Sequence, residues 1–276
     1  MTVNREIKLI GADLDGTLLN DEKQLCPGAA ETIKRAREAG IYVVPVTGRP
    51  FKGIPECVRE LPEIEYIIAS NGAAIIDAKS GEYIYSFSMT NEKSLEVFNL
   101  LKSSDCLFEP FSDGVCYTER KIIDSYIGCF KGTPVEEYLR STRVICNSLE
   151  ALFKEQNKRA DEFFVSCESR AERDKITALL EKTEGVQFWF YDDRYIEITK
   201  ENCDKGSALE TLCRHLNISP KNTMAFGDGE NDLLFLERAG VSVAMENAAP
   251  SVKQKADIIA DTNNNNGVCK IIETLL

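Results

Sequence analysis

The sequence predicts an α/β protein, a doubly wound parallel-sheet core interrupted by an inserted α+β module. Three observations predict it. Short apolar runs alternate with helical patterns up to residue 69, and the same alternation returns after Thr199. Between these stretches the pattern changes to short alternating strands and hairpins. A chain of 276 residues also exceeds one ordinary domain and accommodates two of typical size.

In the first stretch, residues 7–12 read as a buried strand that ends at Asp13. A helix is expected over 27–39, with Pro27 in its first turn and Gly40 just past its end. Residues 41–46 and 66–69 are two further apolar strands. Pro45 lies in the first of these, and a proline cannot donate to a central ladder, so a bulge or strand end is expected there. Strand, helix and strand at this spacing imply parallel pairing with helices on both faces of the sheet.

Residues 73–77 and 82–88 read as a hairpin turning through Lys79-Ser80-Gly81. Leu95, Phe98 and Leu101 mark an amphipathic helix, and strands are expected near 114–118, 161–167, 186–191 and 195–199. A helix carrying Ile176, Leu179 and Leu180 falls between two of them. Later, Ala208, Leu209, Leu212, Cys213 and Leu216 share one helical face. A strand over 223–226 runs into Gly227-Asp228, a helix is expected over 231–239, and a strand over 241–245. The four asparagines of 263–266 form a loop before a last helix. The expected organisation is a discontinuous core, 1–83 and 199–276, around an inserted module, 84–198.

Composition narrows the function classes. No run of apolar residues is long enough to span a membrane, and Met1–Arg5 lacks the order of a signal peptide, so the cytoplasm is the expected compartment. Ten cysteines are present, but none forms a CxxC pair, which argues against zinc and for reduced, largely buried thiols. The net charge of −12 comes without a basic run, so no nucleic-acid partner is expected. The single histidine, His215, falls late in a helical pattern, where the helix dipole favours it. Acid–base chemistry is therefore left to carboxylates.

Ligands of open α/β sheets bind beyond the carboxyl ends of the strands. At those ends stand Asp13-Leu14-Asp15-Gly16-Thr17, Thr47-Gly48-Arg49, Ser70-Asn71-Gly72 and Gly227-Asp228-Gly229-Glu230-Asn231-Asp232, with Lys205 opening the helix before the last. This set suits phosphoryl transfer. Asp13 is placed to attack phosphorus, and Asp15 to protonate the leaving alcohol and later to take a proton from water. Asp13, Asp228 and Asp232 would repel one another without a hard cation, and Mg²⁺ suits an all-oxygen set. Thr47 and Lys205 would neutralise the phosphoryl oxygens, while Gly16 and Gly48 allow close backbone approach. Alone, each piece has a plain structural reading; Asn231-Asp232, for example, could simply cap a helix.

Taken together, Asp13-Leu14-Asp15-Gly16-Thr17-Leu18, Thr47-Gly48-Arg49-Pro50, Ser70-Asn71-Gly72, Asp204-Lys205-Gly206 and Gly227-Asp228-Gly229-Glu230-Asn231-Asp232 resemble the haloacid dehalogenase superfamily, and within it the Cof-type phosphatases. The resemblance implies a Rossmann-like core with an inserted cap that carries substrate specificity. It implies Asp13 as nucleophile and Asp15 as acid and base, with Mg²⁺ held by Asp13, Asp228 and the Asp15 carbonyl. Asp232 would act through water or a hydrogen bond, and Thr47, Gly48, Lys205 and Asn231 would hold the phosphate. Arg49 and Asn71 are candidates for contact with the leaving group. The expected partner is a small phosphorylated metabolite, first of all a sugar phosphate. Flavin mononucleotide, pyridoxal phosphate, transfer to a second alcohol and a non-enzymatic binding role are the alternatives. The sequence departs from the family pattern at Pro45 and at Glu246, which stands where glycine is usual, so a different local turn is expected after residue 245.

Overall fold

The computed structural model of the chain describes residues 6–104, 106–190 and 193–276. Two sequence readings, Met1–Arg5 and Tyr191 at the end of an expected strand, lie outside them. The chain divides into two compact units. Residues up to Gly48, Ile54–Tyr85 and Asp204–Leu276 form one, and Arg49–Gly53 with Ser86–Cys203 form the other.

The first unit begins with β1 (Leu9–Asp13), α1 (Ala29–Glu38), β2 (Tyr42–Val46), α2 (Glu56–Arg59), β3 (Tyr66–Ala69), β4 (Ala74–Asp77) and β5 (Tyr83–Ser86). Every residue of β1 is buried, which is why it reads as an unbroken apolar run rather than an alternating one. The helix expected from Pro27 starts two residues later, because Gly28 at its cap position adopts a left-handed conformation with φ 85°. Pro45 stays in register with Ala12 of β1, so there is no bulge, and the strand ends one residue later. The Thr47 N–H reaches Ile68 O of β3. The nitrogen of Pro45, two residues earlier, therefore faces the same side, where only Val46 pairs with β3. A bond from position 45 to β3 would need the N–H that proline lacks, which fits a ladder confined to Val46.

The second unit carries α3 (Asn91–Lys102), β6 (Leu107–Ser112), β7 (Val115–Glu119), α4 (Arg120–Phe130), α5 (Pro134–Thr142), β8 (Arg143–Cys146), α6 (Leu149–Lys154), β9 (Glu162–Ser166), α7 (Arg170–Leu180), β10 (Val186–Phe190) and β11 (Tyr195–Lys200). Its strands form one sheet in the order β10-β11-β9-β6-β7-β8. One face puts Phe108, Phe163, Val165, Ile196 and Ile198 into a core with Phe98, Leu101, Phe153 and Ile176. On the other, Glu109, Phe164 and Glu197 stand directly opposite one another in register. Glu109 is fully buried and is answered by Arg143, whose Nε lies 3.2 Å from Oε2.

The first unit resumes with α8 (Lys205–Leu216), β12 (Thr223–Gly227), α9 (Leu233–Arg238), β13 (Val241–Met245), α10 (Pro250–Lys253), β14 (Ile258–Ala260) and α11 (Gly267–Glu273). Among the described residues its sheet has eight strands in the order β14-β13-β12-β1-β2-β3-β4-β5. The pairs β1–β2, β1–β12, β12–β13, β13–β14 and β2–β3 are parallel, and β4 runs antiparallel to β3. This is the doubly wound core the sequence predicts. The helix expected over 231–239 begins instead as a 3₁₀ turn, Glu230–Asp232, followed by α9. Glu246 is not among the described residues with positive φ, so the turn after β13 needs no glycine and the substitution strains nothing.

Candidate active site

The ends of β1, β2, β3 and β12 lie side by side in the sheet, and the polar motifs follow them directly. Asp13 is the last residue of β1, and Asp228 follows β12. Asp13, Asp228 and Asp232 each offer a carboxylate oxygen, all within 4.8 Å of one another. Lys205, the first residue of α8, reaches in from the side. Its amine is 2.7 Å from Asp13 Oδ1 and 2.7 Å from Asp232 Oδ1, and its side chain is 1% exposed. The helix start is fixed by Asp204, which accepts the Ser207 N–H at 2.8 Å while the Ser207 hydroxyl accepts from the Asp204 N–H at 3.1 Å. Gly72 makes this approach possible, because a Cβ there would come within 2.4 Å of Asp204 O and its φ is 99°.

Asp232 is committed to the protein on both oxygens. Oδ2 accepts the N–H groups of Asp228 and Gly229 at 2.9 and 3.0 Å, and Oδ1 takes Lys205. Asp228 has Thr17 Oγ1 donating to its Oδ1 at 2.6 Å. At Gly16, with φ 84°, a Cβ would fall 2.4 Å from Asp228 Oδ2, so only glycine lets the loop after β1 pass the carboxylate. Burial is the largest influence on Asp13. It pushes the carboxyl well above its ordinary range, and the charges of Asp232 and Asp228 add to the effect against Lys205. Asp228 is raised to about 6, first by burial and then by Asp232, with the Thr17 hydrogen bond opposing. Burial lowers the pKa of Lys205, but Asp13 and Asp232 outweigh it and keep the amine charged. Three carboxylates against one ammonium leave a net negative pocket of hard oxygen donors, which fits a divalent cation such as Mg²⁺.

The remaining sequence candidates divide. Thr47 is buried, and its N–H and C=O bond to Ile68 and Asn71 of the neighbouring strand end; Gly48 follows it. Asn71, with φ 51°, is also buried, and its amide oxygen accepts from Asn231 Nδ2 at 3.1 Å, so it orients Asn231. Asp15 stands outside the three-carboxylate cluster, with Lys23 Nζ 2.8 Å from its Oδ1. Arg49 belongs to the second unit. There its guanidinium lies 4.7 Å from the Tyr138 ring centre and donates to Gly53 O at 2.9 Å. His215 makes edge-to-face contacts with Tyr66 and Tyr85, ring centres 5.9 Å apart, in the last turn of α8, where the sequence put it.

Sequence reasoning gave no role to Thr17, Asn247 or Asn263. Asn247 Nδ2 donates to Gly16 O at 2.7 Å, and Asn247 Oδ1 accepts the Asn263 N–H at 3.0 Å. Thr17 lies inside the first quoted motif, so the available signal was its place in that pattern, whereas Asn247 lies outside the quoted motifs.

The family model described as haloacid dehalogenase-like hydrolase matches residues 10–272. The phosphatase YwpJ of Bacillus subtilis is 29% identical over 98% of this chain and 100% of its own length. A 5-amino-6-(5-phospho-D-ribitylamino)uracil phosphatase of the same organism, YcsE, is 29% identical over 99% of this chain and 98% of its own. A solved haloacid dehalogenase-like hydrolase from B. subtilis superposes with a TM-score of 0.84 at 28% identity, covering 98% of this chain and 100% of that one. The match runs across nearly the whole chain, which belongs to the haloacid dehalogenase superfamily and is a phosphatase of it.

Proposed function

We propose that this phosphatase is Mg²⁺-dependent and hydrolyses a small phosphomonoester through an aspartyl-phosphate on Asp13. The observation that carries the reading is the imbalance of three clustered carboxylates against one buried lysine. In the first half-reaction an Asp13 oxygen attacks phosphorus as the ester P–O bond breaks, and Asp15 delivers its proton to the departing oxygen. In the second, Asp15 takes a proton from water, which attacks phosphorus and frees the Asp13 carboxylate and inorganic phosphate. Lys205 orients Asp13 and opposes its protonation, and Thr47, Gly48 and Asn231 receive the phosphoryl oxygens. When bound to Asp13, Asp228 and the Asp15 carbonyl, Mg²⁺ supplies the positive charge that lets an anionic nucleophile approach an anionic phosphoryl group. Asp232, engaged on both oxygens by protein donors, fixes the loop and the lysine.

The substrate class we favour is a sugar or sugar-alcohol monophosphate, chosen by the second unit together with Arg49. The name of one relative, a phosphatase of a phosphorylated ribitylamino compound, supports a phosphorylated polyol end. Flavin mononucleotide carries such an end and pyridoxal phosphate offers a comparable primary ester. The partner is a small metabolite rather than a nucleic acid, in keeping with the net charge of −12. All ten cysteines are free thiols, and no helix among the described residues is long and apolar enough to cross a membrane. Both facts support a reducing cytoplasmic setting. Phosphate release should be measured over hexose and pentose phosphates, flavin mononucleotide, pyridoxal phosphate and nucleotides, with excess chelator as control. Sugar phosphates are expected to lead, and undiminished turnover in chelator would overturn the metal assignment.

A further inference from the structure

The ion pair between Lys23 and Asp15 (2.8 Å, with Lys23 about half exposed) would matter little by itself, since exposed pairs contribute little to stability. What distinguishes it is how Lys23 is held. Its φ is 61°, a left-handed conformation that a lysine adopts only when its surroundings impose it. A tight turn imposes it here. Asn20 N–H donates to Gln24 O at 2.9 Å, Lys23 N–H to Asn20 O at 2.9 Å, and Gln24 N–H to Asn20 Oδ1 at 2.9 Å.

The turn is fastened in turn to the asparagine tract. Asp21 accepts from Asn263 Nδ2 at 3.0 Å and from Asn264 Nδ2 at 2.9 Å, and its own N–H donates to Asn264 Oδ1 at 3.0 Å. Asn263 Nδ2 also donates to Leu19 O at 3.1 Å. Through its N–H the same Asn263 holds Asn247, and Asn247 holds the carbonyl of Gly16, the residue after Asp15. One buried asparagine therefore anchors both the loop that carries Lys23 and the loop that carries Asp15. The convergence fixes the distance between the two loops.

The geometry points to Lys23 as a positioning residue for proton transfer, acting through Asp15, with the 263–264 asparagines as its scaffold. The ammonium donates to one carboxyl oxygen of Asp15 and fixes the plane of the group, while the other carries the proton that passes to the leaving oxygen as the P–O bond breaks. This rests on the assignment of Asp15 as acid and base proposed above.

The test compares kcat/KM for phenyl phosphate, whose leaving oxygen needs a proton, with that for 2,4-dinitrophenyl phosphate, whose leaving oxygen does not. Lys23→Met is expected to lower the first about tenfold, as misorientation of a general acid does, and the second less than about twofold. Lys23→Arg should recover most of the loss. Asn264→Ala should give the same pattern with a smaller loss, and the thermal shift on adding Mg²⁺ should match wild type in all three. Equal loss on both esters, or none on phenyl phosphate, overturns the role of Lys23. Asp15→Asn serves as the separate control. If it too spares neither ester or harms neither, the acid–base assignment of Asp15 falls, whatever Lys23 does.

Discussion

The first unit gathers three carboxylates around one buried lysine, whereas the second buries Glu109 against Arg143. Both groups are desolvated, yet their charge balance differs. In the second unit Arg143 Nε and Nη2 both reach Glu109 Oε2 at 3.2 Å, and the Cys116 thiol donates to the same oxygen at 3.5 Å. Burial, followed by the nearby Glu109 charge, pushes that thiol well above its ordinary value, so it stays protonated and acts as a donor. There one guanidinium answers one oxygen of Glu109, with the fully buried Glu162 adding its charge at Cys116. In the first unit burial, followed by the neighbouring carboxylates, pushes Asp13 and Asp228 toward neutrality, and the one ammonium does not offset it. A fold keeps such an imbalance where a ligand completes it, which makes unbalanced burial a better mark of a reaction site than burial itself.

Carboxylate-to-amide changes should break this comparison in opposite directions. Asp13→Asn removes the nucleophile and should reduce phosphate release by at least ~10³-fold. It should leave the melting temperature of the metal-free protein unchanged or higher, because the lost charge was the disfavoured one and Lys205 keeps Asp232. Glu109→Gln should do the reverse, costing about 3 kcal/mol in urea unfolding by stranding Arg143 as a buried, poorly matched cation, with little direct effect on the chemistry. A destabilised Asp13→Asn protein beside an unaffected Glu109→Gln protein would show that the contrast between the two clusters has been drawn the wrong way round.

Lys205→Met sharpens the first half of the contrast. Three carboxylates would then face one another without their ammonium, at a cost of about 3 kcal/mol in the chelated protein. Excess Mg²⁺ should recover more of the melting temperature in this variant than it adds to wild type. A variant as stable as wild type under chelation would mean that the lysine does not compensate the cluster.

The same contrast explains what could be seen in advance. Strands β1 and β12 are buried on both faces and each stops at a polar motif, so the pattern of apolar run, turn and carboxylate locates Asp13 and Asp228 without coordinates. In the second unit that logic fails. β6 carries the buried Glu109 and then Pro110 in mid-strand, and β8 is a short run with two exposed apolar residues, so neither follows a simple alternation. The asparagine tract was legible only as a loop. Its bonds to Asp21 join residues 242 and 243 positions apart, and side-chain bonds across such a separation leave no periodic trace. Thr17 shows the same limit, since its role depends on Asp228, 211 positions away.

The cluster also carries a pH dependence, of at most comparable size. The Asp228 pKa is raised to about 6 in the folded chain, against roughly 3.9 when unfolded. A carboxyl raised by folding binds its proton more tightly in the native state. Its contribution to stability is therefore fully present below about pH 4 and is lost as pH rises through about 6, a loss of up to about 3 kcal/mol. Asp13, raised as well, contributes in the same sense. The exposed carboxyls held low by hydrogen bonds, Asp21 and Asp77 among them, slope the other way, so a single melting curve would mix the two. Those exposed groups do not take part in the cluster, and they cancel in the difference between the Mg²⁺-loaded and chelated protein. That difference in Tm should grow from pH 4 to about 6 and then level off, because the cation binds the ionised carboxylates. Asp228→Asn should shrink the difference and flatten its rise. A Mg²⁺-induced shift of the same size across the whole range would mean that the cation sits away from these carboxylates, and the unbalanced cluster would then need another explanation.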